Sequence, residues 1–185
     1  MVASSVFVNN EVQVLPNPYA LTIKPRLEYS AYLVDSILQK LERAYAYARD
    51  TNARFYSQNE GSRKSPQFKR QVESEASLDC AMEAVLLVQR RLNSISQMDN
   101  IAEIASPLIS IIRTVNSNIY LILPSVSQEL VELSGLLGSI VMDSGSLAEA
   151  KFDFKQTNLE SKQILAEVNL IVESKIRTSY PNLNF

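Results

Sequence analysis

The sequence is poor in the residues from which many active sites are built. It has no histidine, no tryptophan, one cysteine and only four glycines among its 185 residues. A histidine-based catalytic triad, an imidazole proton shuttle and a zinc site therefore lack their usual side chains. No glycine-rich phosphate loop and no nucleophile beside a base is visible in the sequence. These absences predict a protein that is not an enzyme and that binds no cofactor or metal.

The scarcity of glycine also favours an all-α fold, because it leaves little material for the tight turns of a sheet. The lone Cys80 can form no internal disulfide, fits a reducing cytoplasm and is expected to pack as a small residue on a helix. No run approaches the roughly 18 apolar residues of a membrane span, and no secretory signal is visible. We expect a soluble, cytoplasmic protein.

An apolar heptad pattern predicts two long helices, over residues 26–60 and 66–96. The first helix has apolar residues at alternating gaps of four and three: Leu27, Ala31, Val34, Leu38, Leu41, Tyr45, Ala48 and Phe55. The second helix repeats the alternation with Leu78, Ala81, Val85, Val88, Leu92 and Ile95. Asn52 interrupts the first series. Because Gly61 suits the end of one helix and Pro66 the start of the next, the two predict a helical hairpin.

Shorter helices follow the hairpin. A polar stretch at residues 93–100 precedes a third helix, predicted over residues 101–123, in which Pro107 should weaken or kink the helix. Pro124 starts a fourth helix, predicted over residues 125–143. The joints divide segments that share one apolar pattern and can be bent or continuous, so they are candidate hinges. The hinge residues are Asn93, Ser94, Asp99, Asn100 and Pro124.

A fifth helix is predicted over residues 158–177, after a polar linker at residues 146–157. Its apolar face is too small to stand alone, so we expect it to dock on the hairpin. That face consists of Leu159, Ile164, Leu165, Val168, Ile171 and Val172. The tail at residues 178–185 is predicted to be disordered. We interpret Glu73, Glu75 and Asp79 as a solvated helix face.

Charge is unevenly distributed along the chain. Residues 1–70 carry ten Lys and Arg against six Asp and Glu, whereas residues 71–185 carry eight against fourteen. The basic half can approach an anionic surface or the acidic half of a neighbouring copy. On the first helix, cations and tyrosines lie opposite the apolar series. This mixture suits anionic lipid headgroups or a phosphate backbone, although such a face is often merely solvated.

Residues 1–25 form an arm with no helical period. Its apolar residues can enter a bilayer interface, pack on a neighbouring subunit or belong to a disordered terminus. The candidate membrane-binding residues come from this arm, the first helix and the hairpin tip: Val6, Phe7, Val8, Arg26, Lys40, Arg43, Arg54, Arg63 and Lys64.

The order of these parts resembles the ESCRT-III proteins, and specifically the archaeal cell-division members of CdvB type. The segment from Ala48 to Phe55 is similar to the family's Arg-Asp-containing segment near the end of the first helix. Residues 106–112 and 123–130 match its two proline-containing helical segments, and residues 138–141 follow them as in the family. The resemblance covers residues 26–145.

The resemblance implies a filament-forming protein that remodels or cuts membranes, in cell division or vesicle budding, by polymerising on the membrane surface. In the family, the fifth helix folds back on the hairpin in the closed subunit, and its release lets helices two to four straighten and stack. Implied partners are further copies of the chain, other ESCRT-III paralogues, an anionic membrane surface on the cytoplasmic side and an AAA ATPase. Nucleic acid is not expected.

Three features depart from the family. Residues 1–25 are not a basic amphipathic helix, the tail has a single proline where an ATPase-docking motif is proline-rich, and the length is that of a short paralogue without a winged-helix extension. A different interpretation is a soluble helical-bundle adaptor that binds partner helices and never polymerises. A nucleic-acid-binding coiled coil fits the basic face but is opposed by the acidic half.

Overall fold

The computed structural model describes residues 22–58, 61, 63–95, 101–147, 154–181 and 183. Within these ranges every regular element is an α-helix: α1 Ile23–Gln58, α2 Pro66–Ile95, α3 Ile101–Ile119, α4 Pro124–Leu147 and α5 Phe154–Ser179. The predicted all-α fold class is confirmed, with a long first pair of helices and shorter ones after it.

Helices α1 and α2 form the predicted antiparallel hairpin. At 36 residues α1 is the longer arm, which corresponds to roughly 54 Å at 1.5 Å per residue. Pro66 occupies the first position of α2, and the Ser65 hydroxyl accepts a hydrogen bond from the Phe68 amide at 3.2 Å, as a helix N-cap does. The local chemistry at the junction therefore fixes where α2 begins.

Helices α3 and α4 form a second antiparallel hairpin that packs on the first. α3 contacts α2 and α4, and α4 also lies along α1. The shared core is apolar and includes the fully buried Leu41, Val88, Ile112 and Leu133. This packing places the heptad residues of four helices in one interior, as their periodicity predicts.

The proline positions have unequal effects. α3 continues past Pro107, which is buried, so the proline does not end the helix, and the predicted weakening or kink stays a prediction. Neighbouring side chains such as Leu108 and Ile111 are fully buried, and this packing outweighs the lost backbone hydrogen bond. α3 ends at Ile119, four residues before the predicted limit, and Pro124 begins α4.

The predicted hinge between α2 and α3 is only partly within the described residues. Asn93 and Ser94 belong to the last turn of α2, which ends at Ile95. Asp99 and Asn100 lie outside the described residues, and α3 begins at Ile101. Hinge motion at these positions and at Pro124 stays a prediction.

Among the described helices, none combines the length and apolar character that crossing a bilayer requires.

Candidate functional site

Helix α5 folds back onto the body of the protein and occupies the groove between α2 and α3. It runs antiparallel to α2, because Glu160 near its start pairs with Arg91 and Tyr180 just past its end reaches Glu75. We call the surface of α2 and α3 beneath it the α5 seat. This return is the arrangement that the resemblance implies for a closed subunit.

The apolar contact of α5 differs in detail from the predicted face. Val168 and Val172 are buried, and Ile164 and Leu165 are partly buried against the main core. Leu159 and Ile171 are 58% and 50% exposed, so their assignment to the packing face is wrong. The buried positions Ser161, Val168, Val172 and Ile176 follow one another at gaps of seven, four and four, and neither exposed residue falls on that line.

The end of α5 is the part that the sequence missed. The helix continues to Ser179, and Tyr180 is only 2% exposed, so the prediction of a disordered tail is wrong for residues 178–180. Tyr180 meets Phe68 and Tyr56 edge to face, with ring centroids 5.8 and 5.5 Å apart. Leu183 also packs on this cluster. The hairpin tip therefore provides an aromatic anchor for the end of α5.

A buried carboxylate joins three elements at the same place. Glu75 is 1% exposed, and its Oε2 accepts hydrogen bonds from Asn52 Nδ2 of α1 and from the Tyr180 hydroxyl, both at 2.8 Å. Burial, followed by the bond to Glu75, raises the pKa of Tyr180, so the phenol stays protonated and keeps donating. Asn52 interrupts the heptad of α1 because it serves this junction.

One turn further along α2, a second buried carboxylate faces α5. Asp79 is fully buried, and Lys175 Nζ bridges it to Glu83, at 3.2 and 2.7 Å. Burial raises the pKa of Asp79, and Lys175 opposes that shift. The interpretation of Glu75 and Asp79 as a solvated face is wrong, because α5 covers both, while Glu73 is exposed.

The lone cysteine lies at the edge of the α5 seat. The Cys80 thiol donates a hydrogen bond to Asn169 Oδ1 of α5 at 3.3 Å, and burial raises its pKa to about 11. A thiol in this state reacts slowly, because the thiolate is the nucleophile. Cys80 is partly buried, and we expect its reactivity to rise when α5 and the contact with Asn169 are released.

The basic face of α1 is divided by α4. Arg26 is 3% exposed, pairs with Asp143 and donates to Ser139 Oγ at 2.9 Å. Lys40 Nζ bonds Glu129 of α4 at 2.7 Å. The predicted exposure of Arg26 is wrong, because α4 packs along that side of α1.

Beyond the reach of α4, cations remain on the surface. Arg43, Arg54 and Lys64 are exposed, and Arg54 pairs with Asp50 one turn away on the same helix. Arg63 lies over the Tyr56 ring, 4.4 Å from its centroid, and donates to the Tyr56 carbonyl at 2.7 Å. Membrane binding by these residues stays a prediction. Val6, Phe7 and Val8 lie outside the described residues.

No group of three or more His, Cys, Asp or Glu side chains in the described ranges is placed to hold a metal ion.

Comparison with known proteins finds remote relatives. No protein-family model matches the sequence, and no solved structure matches it. Cell division protein B1 of Sulfolobus acidocaldarius is 25% identical over 96 residues, which is 52% of this chain and 45% of the relative. Cell division protein B of the same organism is 24% identical over 100 residues, which is 54% of this chain and 38% of the relative.

Over about half of its length, this chain is therefore remotely similar to two cell division proteins of Sulfolobus acidocaldarius. The matches confirm the resemblance that the helix order and the proline-containing segments indicate. The matched region spans less than half of either relative's length.

Proposed function

We propose that this chain is a filament-forming protein of the ESCRT-III type that serves cell division by polymerising on a membrane surface, with α5 as the clamp that keeps the subunit closed. The names of the two relatives support the cell-division role. The observation that carries the clamp is the seat of α5, where Tyr180 donates to the buried Glu75 at the hairpin tip.

The geometry of the seat explains why the clamp can be released. α5 buries few large apolar side chains, chiefly Val168, Val172 and Ile176. Such a contact is worth several kcal/mol at about 1.5 to 3 kcal/mol per buried side chain, before the cost of ordering the helix. Release exposes the aromatic cluster at the tip, which then requires a new partner. A neighbouring copy of the chain supplies that partner in a filament.

We assign membrane binding to the exposed cations of α1 and the hairpin tip. Arg43, Arg54 and Lys64 are exposed, and each cation near an anionic membrane contributes on the order of 1 kcal/mol. The protein then works peripherally on the cytoplasmic face, with other ESCRT-III paralogues and an AAA ATPase as further partners.

Negative-stain microscopy of the pure chain, alone and with anionic liposomes, tests this function. Filaments or coated tubes on anionic liposomes are expected, and liposomes without anionic lipid are the control. A monodisperse protein under every condition contradicts polymerisation and supports a helical-bundle adaptor instead.

A further inference from the structure

The α5 seat carries more negative charge than α5 neutralises. Glu75, Asp79 and Glu83 follow one another at intervals of four residues, so they line one edge of α2. Glu75 and Asp79 are almost completely buried. Among the described residues of α5, Lys175 is the one cation that pairs with these carboxylates, and the Tyr180 hydroxyl donates to Glu75. We call the three carboxylates the acidic row.

One carboxylate oxygen of the acidic row lacks a hydrogen-bond donor. Asp79 Oδ1 accepts from Lys175, but the other carboxylate oxygen, Oδ2, is buried and has no hydrogen-bond partner. A buried polar atom without a partner costs free energy that a suitable donor would recover. From α1, Arg49 also acts electrostatically on Asp79, but its side chain is exposed.

The register shows where the missing cations would sit. α5 is antiparallel to α2, and Lys175 lies between Asp79 and Glu83. The positions four residues before and after Lys175 share its side of the helix, at the exposed margin of the contact with α2. They hold Ile171 and Ser179, both uncharged and exposed. α5 thus has the right apolar spacing for the seat but only one of three possible cations.

We propose that the α5 seat is a docking site for a basic amphipathic helix of a partner protein, which displaces α5 by matching its apolar spacing and adding cations opposite the acidic row. Charge complementarity selects this occupant over a second copy of α5, which would bring the same single lysine. The proposal rests on α5 being the releasable clamp and identifies what releases it.

Whether α5 lacks positive charge opposite the acidic row is tested in the full chain. Ile171→Lys and Ser179→Lys add cations beside the acidic row, and opening of α5 is followed by the rate at which Cys80 reacts with a thiol reagent. Exposed ion pairs contribute about 0.2 to 1 kcal/mol, so labelling should slow about threefold for each substitution. Leu170→Lys and Ser174→Lys add the same charge on the outward side and should leave the rate unchanged. Equal rates for the two pairs overturn the proposal.

Displacement is tested with peptides added to the unmodified full chain. Three peptides span residues 154–181: the native sequence, one with Ile171→Lys and Ser179→Lys, and an isomeric control with Leu170→Lys and Ser174→Lys. Hydrogen exchange by mass spectrometry reports protection of the chain's own α5. The first charged peptide should release α5 at about a tenfold lower concentration than the other two.

Equal potency of all three peptides, or retention of α5 protection in each case, overturns the proposal. Neither measurement involves filaments or lipid. Failure of the chain to polymerise, with selective displacement by the basic peptide, would contradict the proposed function and leave the docking site standing.

Discussion

Helices α4 and α5 both close over the α1–α2 hairpin, but different forces hold them. α4 places six fully buried apolar side chains in the main core: Val126, Leu130, Leu133, Leu136, Leu137 and Ile140. α5 buries three aliphatic side chains, Val168, Val172 and Ile176, together with Tyr180, and it also contacts two buried carboxylates of α2. Since apolar burial is the dominant favourable contribution, we expect α5 to detach first and α4 to unfold or move only with the core.

The polar contacts that hold the two helices also differ in how far they are exposed. α4 meets α1 through Lys40 and Glu129, whose side chains are 41% and 20% exposed, and through Arg26 and Asp143, which are 4% and 56% exposed. Each pair thus keeps at least one partner in contact with solvent, which limits its contribution. α5 meets α2 through Glu75 and Asp79, which are buried. Buried polar contacts add little net stability but demand correct partners. Chemistry at the α5 seat can therefore control release, whereas α4 is held by packing.

Leu133→Ala in α4 should have the largest effect on the fold. Leu133 is fully buried, and truncation of a core leucine costs about 3 kcal/mol. The global free energy of unfolding, measured by denaturant titration, should fall by that amount. A change below about 1 kcal/mol would show that α4 is not part of the cooperative core.

Ile176→Ala in α5 should act locally. Ile176 is 4% exposed at the edge of the bundle, so we expect about 2 kcal/mol, the low end for such truncations. We expect α5 to open without the core, so Cys80 labelling should accelerate about thirtyfold while the denaturation midpoint of α1–α4 stays unchanged. An equal loss of free energy measured by Cys80 labelling and by denaturation would show that α5 and the core unfold together. Leu170→Ala, on the exposed side, is the matched control.

The double substitution Arg43→Ser with Arg54→Ser tests the part of the basic face of α1 that α4 leaves exposed. Both residues are exposed beyond α4, so loss of two cations should weaken co-sedimentation with anionic liposomes by about 2 kcal/mol, or near thirtyfold. Lys40→Ser should cost less, because Lys40 already pairs with Glu129. If the double substitution leaves liposome binding unchanged, the basic face is only a solvated helix face.

Tyr180→Phe removes only the hydroxyl that donates to Glu75. A hydrogen bond to a charged group contributes about 1.5 kcal/mol, so α5 should exchange its amide hydrogens about tenfold faster. Asn52 still donates to Glu75 in this variant, and α1 and α2 should keep their protection. Tyr120→Phe, at an exposed turn, provides the control.

The smallest effect is the pH dependence of the clamp. Burial raises the pKa of Asp79 above its ordinary 3.8, so the seated state binds a proton more readily than the open state. The contribution of Asp79 is fully present below pH 3.8 and is lost as the pH rises through its raised value. Protection of the α5 amides from hydrogen exchange, corrected for the intrinsic exchange rate, should therefore decrease as the pH rises through that pKa. Asp79→Asn should abolish this component.

Local sequence chemistry predicts most of the architecture. The heptad series, Gly61 with Pro66, and Pro124 locate the hairpin and the start of α4, because helix periodicity and caps are encoded nearby. The polar junction was not predicted, although Asn52 within an apolar series was a signal that a buried partner exists. Glu75 lies 23 residues away and Tyr180 another 105 from it, so only tertiary packing brings them together.

The burial of Arg26 has the same explanation. On an isolated hairpin Arg26 faces outward, and only the return of α4 places Asp143 beside it. The sequence could show which residues share a helix face, but not which later helix covers that face. Similarly, Ile171 fits an apolar pattern on α5 but lies outside the contact that α2 and α3 make.

Deletion of residues 146–185 tests the central claim most directly. The truncated chain lacks α5 and the Tyr180 anchor, while the buried contacts of α1–α4 remain, so circular dichroism should show a folded helical core. Light scattering and microscopy should then show assembly at concentrations where the full chain stays monomeric. A truncated protein that is folded and remains monomeric at those concentrations, with and without anionic liposomes, would contradict the account of α5 as a clamp.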